Sequence, residues 1–177
     1  KSMRPLDVIY SRNKTAVEIG NTDAEGRLLL ADALTFSQEG YIKNDFVIDF
    51  ATLTGAARVA LGTELPALFT NDTNLGKMII KEGKDQIDPM WELPLFTPYE
   101  RFLENKYDAL SSTGTAGTGG AITAALFLKK FVNVDTNWAH IDLMAWNTSG
   151  RPGFPAGGEA MGLRNIVNMI IKYCNQK

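Results

Sequence analysis

Asp23 and Glu25, in the run Asn21-Thr22-Asp23-Ala24-Glu25-Gly26-Arg27, have the most suggestive chemistry in this 177-residue chain. Residues two apart in extended backbone project to the same side, so the two carboxylates are expected to point together. Like charges that close raise each other's pKa unless a cation lies between them. A divalent ion resolves the conflict, because zinc and the hard cations accept carboxylate oxygens at about 2.0–2.6 Å. Arg27, two residues further on, sets a guanidinium beside that metal edge, suited to a carbonate, a carboxylate or the oxyanion of a reacting carbonyl. The same string admits a second reading. Thr22-x-x-Glu25 ahead of Leu28-Leu29-Leu30 has the form of a capping box at a helix start. Spacing leaves both open.

Composition narrows the ligand chemistry. With one cysteine (Cys174) and one histidine (His140), Cys/His metal clusters are excluded and any metal site must rest mainly on oxygen ligands. A lone cysteine forms no intrachain disulfide, which points to a reducing compartment, the cytoplasm. The formal net charge of −2, with lysines and arginines dispersed, gives no electrostatic reason to expect a nucleic-acid or anionic-membrane partner. The longest apolar stretch, residues 121–128, is far below the roughly 20 residues of a membrane span. Apolar residues at 45% and charged residues at 21% suit one globular domain with a real core. The chain starts at Lys1 and runs almost directly into a strand, as expected of a processed chain or a piece of a longer one.

The elements that must position the carboxylates follow from periodicity. Residues 7–11 and 15–19 read as a hairpin around Arg12-Asn13-Lys14, and residues 20–26 as a polar turn. Residues 27–37 have helical apolar spacing closed by Gly40. Residues 45–50 form a short, nearly continuous apolar strand, as in a sheet covered on both faces. A helix is expected over 54–61, a strand over 67–70, helices over 75–86 and 98–105, a small-residue loop over 111–120 and an apolar helix over 121–131. A strand over 138–145, a Gly/Pro-rich loop over 147–158 and a helix over 163–173 complete the chain. This alternation predicts an α/β fold: a three-layer α/β/α domain with a mixed, largely parallel sheet.

Other features read as structural. The loop 111–120 has neither the Gly-Lys-Ser/Thr ending of a P-loop nor dinucleotide-fingerprint spacing. His140 reads as a hydrogen-bonded structural histidine. Ser111 and Ser112 lack the histidine a serine triad needs at motif spacing. Trp91, Trp138 and Trp146 are expected in the core or at interfaces.

The string Asn21–Leu28 (NTDAEGRL) resembles the signature of the leucyl aminopeptidase family, peptidase family M17. Residues 51–56 (ATLTGA), 119–124 (GGAITA) and 138–142 (WAHID) support the resemblance in the family's order, over essentially the whole chain. It implies the C-terminal part of a single metallo-aminopeptidase catalytic domain, spanning 1–177. It also implies an exopeptidase that releases a leucine-like N-terminal residue from peptides, in a cytoplasmic homohexamer. By the resemblance, Asp23 binds one metal ion, Glu25 bridges two, and Arg27 holds a bicarbonate that acts as general base. The metal pair, drawn from Mn, Zn, Mg or Co, polarises the scissile carbonyl and supplies a hydroxide nucleophile. Thr52, Leu53 and Gly55 line the substrate cleft.

In the family, the remaining metal-binding lysine and aspartates and a catalytic lysine lie upstream of this motif, and residues 1–20 contain nothing resembling them. With two of five ligands, the chain by itself is expected to be inactive. Where the family has small residues lining the pocket for the first substrate side chain, this sequence has Met144 and Ala145, which puts the leucine preference in question. Two other functions compete with the peptidase: a non-catalytic scaffold that retains the fold, and nucleotide binding.

Overall fold

The computed structural model describes residues 2–40, 45–105 and 108–176. The first half runs β1 (Val8–Tyr10), β2 (Ala16–Glu18), α1 (Glu25–Ser37), β3 (Val47–Ala51), α2 (Gly55–Leu61), β4 (Ala67–Thr70) and α3 (Thr73–Asp85). The second half runs β5 (Trp91–Glu92), β6 (Leu110–Ser111), α4 (Gly120–Lys129), β7 (Trp138–Asp142), β8 (Trp146–Asn147), β9 (Gly157–Gly158) and α5 (Leu163–Asn175).

The main sheet has the order β3-β7-β4-β5. β3 lies parallel to β7, β4 parallel to β5, and β4 antiparallel to β7, so the sheet is mixed as expected. Strand alternation sorts β7 between two cores. Ala139 and Ile141 join Leu68, Leu75, Ile79, Ile166 and Met169 beneath α3 and α5. Trp138 faces the other way, into a cluster with Leu34, Leu126, Phe127 and Leu128 from α1 and α4. Helices on both faces of the sheet make the three-layer α/β/α arrangement. A smaller sheet, β1-β2-β6, carries the chain into the acidic motif.

The hairpin forms where the sequence predicts it, with Ile9 opposite Val17. Its turn closes through Ser11 Oγ donating to Asn13 Oδ1 at 2.7 Å, with Lys14 at φ 66°. Several boundaries differ. The segment predicted as a helix over 98–105 is a 3-10 turn at Thr97–Phe102 with Pro98 in its first turn, where proline's missing N–H does no harm. α3 starts two residues earlier than predicted, because Asp72 Oδ1 accepts the N–H groups of Asn74 and Leu75. β7 stops at Asp142 rather than 145, because there it meets Ala51 at the end of β3 and Ala67 at the start of β4, and Ala145 at φ 55° is outside strand conformation.

Trp138 is fully buried, whereas Trp91 and Trp146 are exposed and lie outside the core. Met144 and Ala145 pack against the core cluster below α3 and α5.

Ala145 is in the left-handed region, which costs an L residue about 1–2 kcal/mol. Ala145→Gly relieves that cost and returns part of it as unfolded-state entropy. A net stabilisation of up to about 1 kcal/mol is expected, read as a raised urea midpoint of the full-length protein. A lowered midpoint would contradict the strain.

Candidate active site

The acidic motif does not run extended. Thr22–Ala24 is a 3-10 turn that leads directly into α1 at Glu25. Asn21, rather than Thr22, is the cap: its Oδ1 accepts the Asp23 N–H at 3.0 Å. Both sequence readings of this run therefore need correction in detail. The carboxylates do not share a side through strand alternation, and the Thr22–Glu25 capping box does not form. A local Asx hydrogen bond at Asn21 wins over strand extension because the backbone donor sits only two residues away. Asp23 and Glu25 nonetheless both border one cavity of about 170 Å³.

That cavity is also lined by Arg27 from the first turn of α1 and by Thr52 and Leu53, which follow β3. A neighbouring cavity of about 260 Å³ shares Asp23, Arg27 and Leu53 and adds Gly55 and Thr113. Asp23 and Glu25 are exposed, and neither carboxylate makes a hydrogen bond or ion pair among the described residues. All six residues singled out from the sequence thus border one continuous region. Met144 and Ala145 line neither cavity.

Arg27 is held from below. It is buried, and its Nη1 donates to the Ser112 carbonyl at 2.5 Å. The position of Ser112 follows from the small sheet: its N–H donates to Glu18 O at 3.0 Å, and its Oγ accepts the Gly20 N–H at 2.9 Å. Gly20 has no space for a side chain, since an added Cβ would sit 2.1 Å from Thr113 Oγ1. Burial pushes the Arg27 guanidinium below its ordinary pKa, and the Asp142 carboxylate pulls it back up. The Arg27 Nε is buried with no partner. Arg27 itself borders both cavities, and a guanidinium held in place at a cavity wall is a fit partner for an anion.

The turn after β3 is fixed by Asp142 at the end of β7. Its Oδ1 accepts the N–H groups of Leu53 at 2.9 Å and Thr54 at 3.2 Å, and its Oδ2 accepts the Thr54 hydroxyl at 2.6 Å. Thr54 Oγ1 in turn accepts the Ala57 N–H at 3.0 Å and caps α2. Sequence reasoning assigned no role to Asp142, Thr54 or Ser112. The available signal was strand alternation, which sets Asp142 on the same face of β7 as Trp138 and His140.

His140 is structural. It is buried, its Nδ1 lies 2.5 Å from Asp49 Oδ1, and its ring stacks between Phe69 and Trp138. Trp138 Nε1 donates to the other Asp49 oxygen at 2.7 Å.

The donor set fits a divalent cation in kind: two acidic residues whose carboxylates have no partner among the described residues border one cavity together with an arginine. It is short in number, because no group of three or more His, Cys, Asp and Glu side chains converges among the described residues. Residues 1–167 match the Cytosol aminopeptidase family, catalytic domain. The chain belongs to the cytosol aminopeptidase family.

A relative described as a probable cytosol aminopeptidase, from Prochlorococcus marinus (strain MIT 9211), is 43% identical over 98% of this chain and 35% of its own length. The crystal structure of cytosol aminopeptidase from Coxiella burnetii matches with a TM-score of 0.89 and 47% identity, over 96% of this chain and 37% of that one. The bottromycin maturation enzyme BotP in complex with Mn gives the same TM-score at 35% identity, over 96% of this chain and 38% of that one. The chain thus spans about a third of the length of the relatives and solved structures it matches.

Proposed function

We propose that this chain is the C-terminal part of the catalytic domain of a metallo-aminopeptidase, acting within a longer polypeptide. The reading rests on one observation: Asp23, Glu25, Arg27, Thr52 and Leu53 line a single cavity in a chain of the cytosol aminopeptidase family. Asp23 would hold one divalent ion and Glu25 would help to hold both, the ions being Mn, Zn, Mg or Co. When bound, the ions would supply Lewis-acid polarisation of the scissile carbonyl and an acidified water. Arg27, anchored on Ser112 at the edge of both cavities, would hold bicarbonate, the general base. Thr52, Leu53 and Gly55 border the bound peptide, whose leucine-like N-terminal residue is released. The remaining metal ligands come from the rest of the longer chain, and the enzyme is a cytoplasmic homohexamer.

The deciding assay uses the full-length protein, stripped of metal and reloaded with Mn²⁺, on leucine p-nitroanilide. Turnover that appears on reloading and vanishes on chelation is expected. A reloaded protein that cleaves no N-terminally unblocked peptide would sink the proposal. The 177-residue chain alone is expected to be inactive under the same conditions, because a multi-carboxylate site depends on ligand count.

A further inference from the structure

Asp142 lines neither cavity, yet it is almost fully buried and spends both carboxylate oxygens on the turn that does line them. Each trans peptide unit is planar, with its N–H and C=O pointing in opposite directions. The Leu53 N–H points at Asp142, so the Thr52 carbonyl in the same plane points away from it. The Thr54 N–H does likewise, and turns the Leu53 carbonyl outward. Thr52 and Leu53 are the residues that border the cavity beside Asp23, Glu25 and Arg27. A buried anion therefore turns two backbone carbonyls away from itself in residues that border the cavity.

The position is over-determined in the way a functional turn requires. The register of β3 and β7 sets Ala51 beside Asp142, so the carboxylate arrives where β3 ends. Hydrogen bonds from backbone N–H groups to a carboxylate are charge-assisted and roughly twice as strong as neutral ones. Thr54 Oγ1 relays the constraint into α2 through Ala57. The same negative charge acts on the buried guanidinium of Arg27 across the site.

We propose that Asp142 is a positioning residue for peptide binding: it holds the Thr52–Thr54 turn so that the Thr52 and Leu53 carbonyls accept N–H donors from the substrate main chain. The inference rests on the aminopeptidase reading and adds to it the residue that orients the acceptor wall. Asp142 touches no substrate.

The test uses the full-length, Mn²⁺-loaded protein and three variants: Asp142→Ala, Asp142→Asn and Thr54→Val. Asp142→Ala removes all three hydrogen bonds, and kcat/KM for a leucyl dipeptide is expected to fall about 100-fold, carried mainly by KM. Asp142→Asn keeps one carbonyl oxygen for both N–H groups and is expected to return KM to within about threefold of wild type. Thr54→Val keeps those two bonds, loses the hydroxyl bridge and is expected to fall between them. Hydrogen exchange at the Leu53 and Thr54 amides reads the same turn without activity, with protection lost in Asp142→Ala and kept in Asp142→Asn.

Should Asp142→Ala fail to fold, Asp142→Asn and Thr54→Val decide the matter through KM and exchange. A folded Asp142→Ala with wild-type KM overturns the inference. So does an Asn variant as impaired in KM as the Ala variant, or unchanged exchange at both amides. Inactive wild-type holoenzyme overturns the aminopeptidase reading and this inference together, whereas active wild type with unaffected variants overturns the inference alone.

Discussion

Glu25→Ala in the full-length protein is expected to lower kcat/KM by about three orders of magnitude or more and to release bound metal. Each tenfold loss corresponds to about 1.4 kcal/mol of transition-state stabilisation, and a metal at the reacting carbonyl contributes several kcal/mol. The fold should not suffer. Glu25 is exposed at the start of α1 and makes no hydrogen bond or ion pair among the described residues, so stability should stay within about 0.5 kcal/mol of wild type. Metal content by atomic absorption, measured beside kcat and the melting temperature, separates loss of the ion from loss of the fold. Full activity with full metal content would remove Glu25 from the site.

Arg27→Lys is the second large effect, and its signature is opposite in metal content. The ions stay, while kcat drops by about 100- to 1,000-fold, the usual cost of losing one preorganised donor to developing charge. Lysine carries the same charge but lacks the planar fork. It cannot both reach the Ser112 carbonyl, which now takes Nη1, and present further N–H donors to the cavity in the fixed plane of a guanidinium. A Lys variant with wild-type kcat at saturating bicarbonate would show that charge alone suffices and that the fork plays no part.

Legibility in the sequence was highest where the signal is local. Alternation in the hairpin, the apolar run that becomes β3 and the spacing that becomes α1 depend on neighbours within a turn or a strand, and these elements formed as read. At Asn21–Glu25 spacing admits both an extended run and a capping box, and neither forms, because a local Asx hydrogen bond at Asn21 draws on the same polar residues. The strand predicted over 138–145 ends at Asp142, where its partners run out. A left-handed alanine at 145 leaves no mark in the apolar pattern.

The gathering of residues 23, 25, 27, 52, 53 and 55 was legible only through family resemblance, since nothing in periodicity says that the end of β3 meets the start of α1.

What the sequence by itself determined is the donor chemistry: a chain with one histidine and one cysteine, two neighbouring acids and an arginine, and elements that alternate into an α/β fold. What only the tertiary structure decided is direction. The Arg27 guanidinium is aimed by a carbonyl 85 residues away, and the turn at Leu53 by a carboxylate 89 residues away. Partners that distant are chosen by sheet order and register, which pair β3 with β7 and β2 with β6. Side-chain type travels with the residue, but the hydrogen-bond geometry that makes it useful exists only once those strands are adjacent.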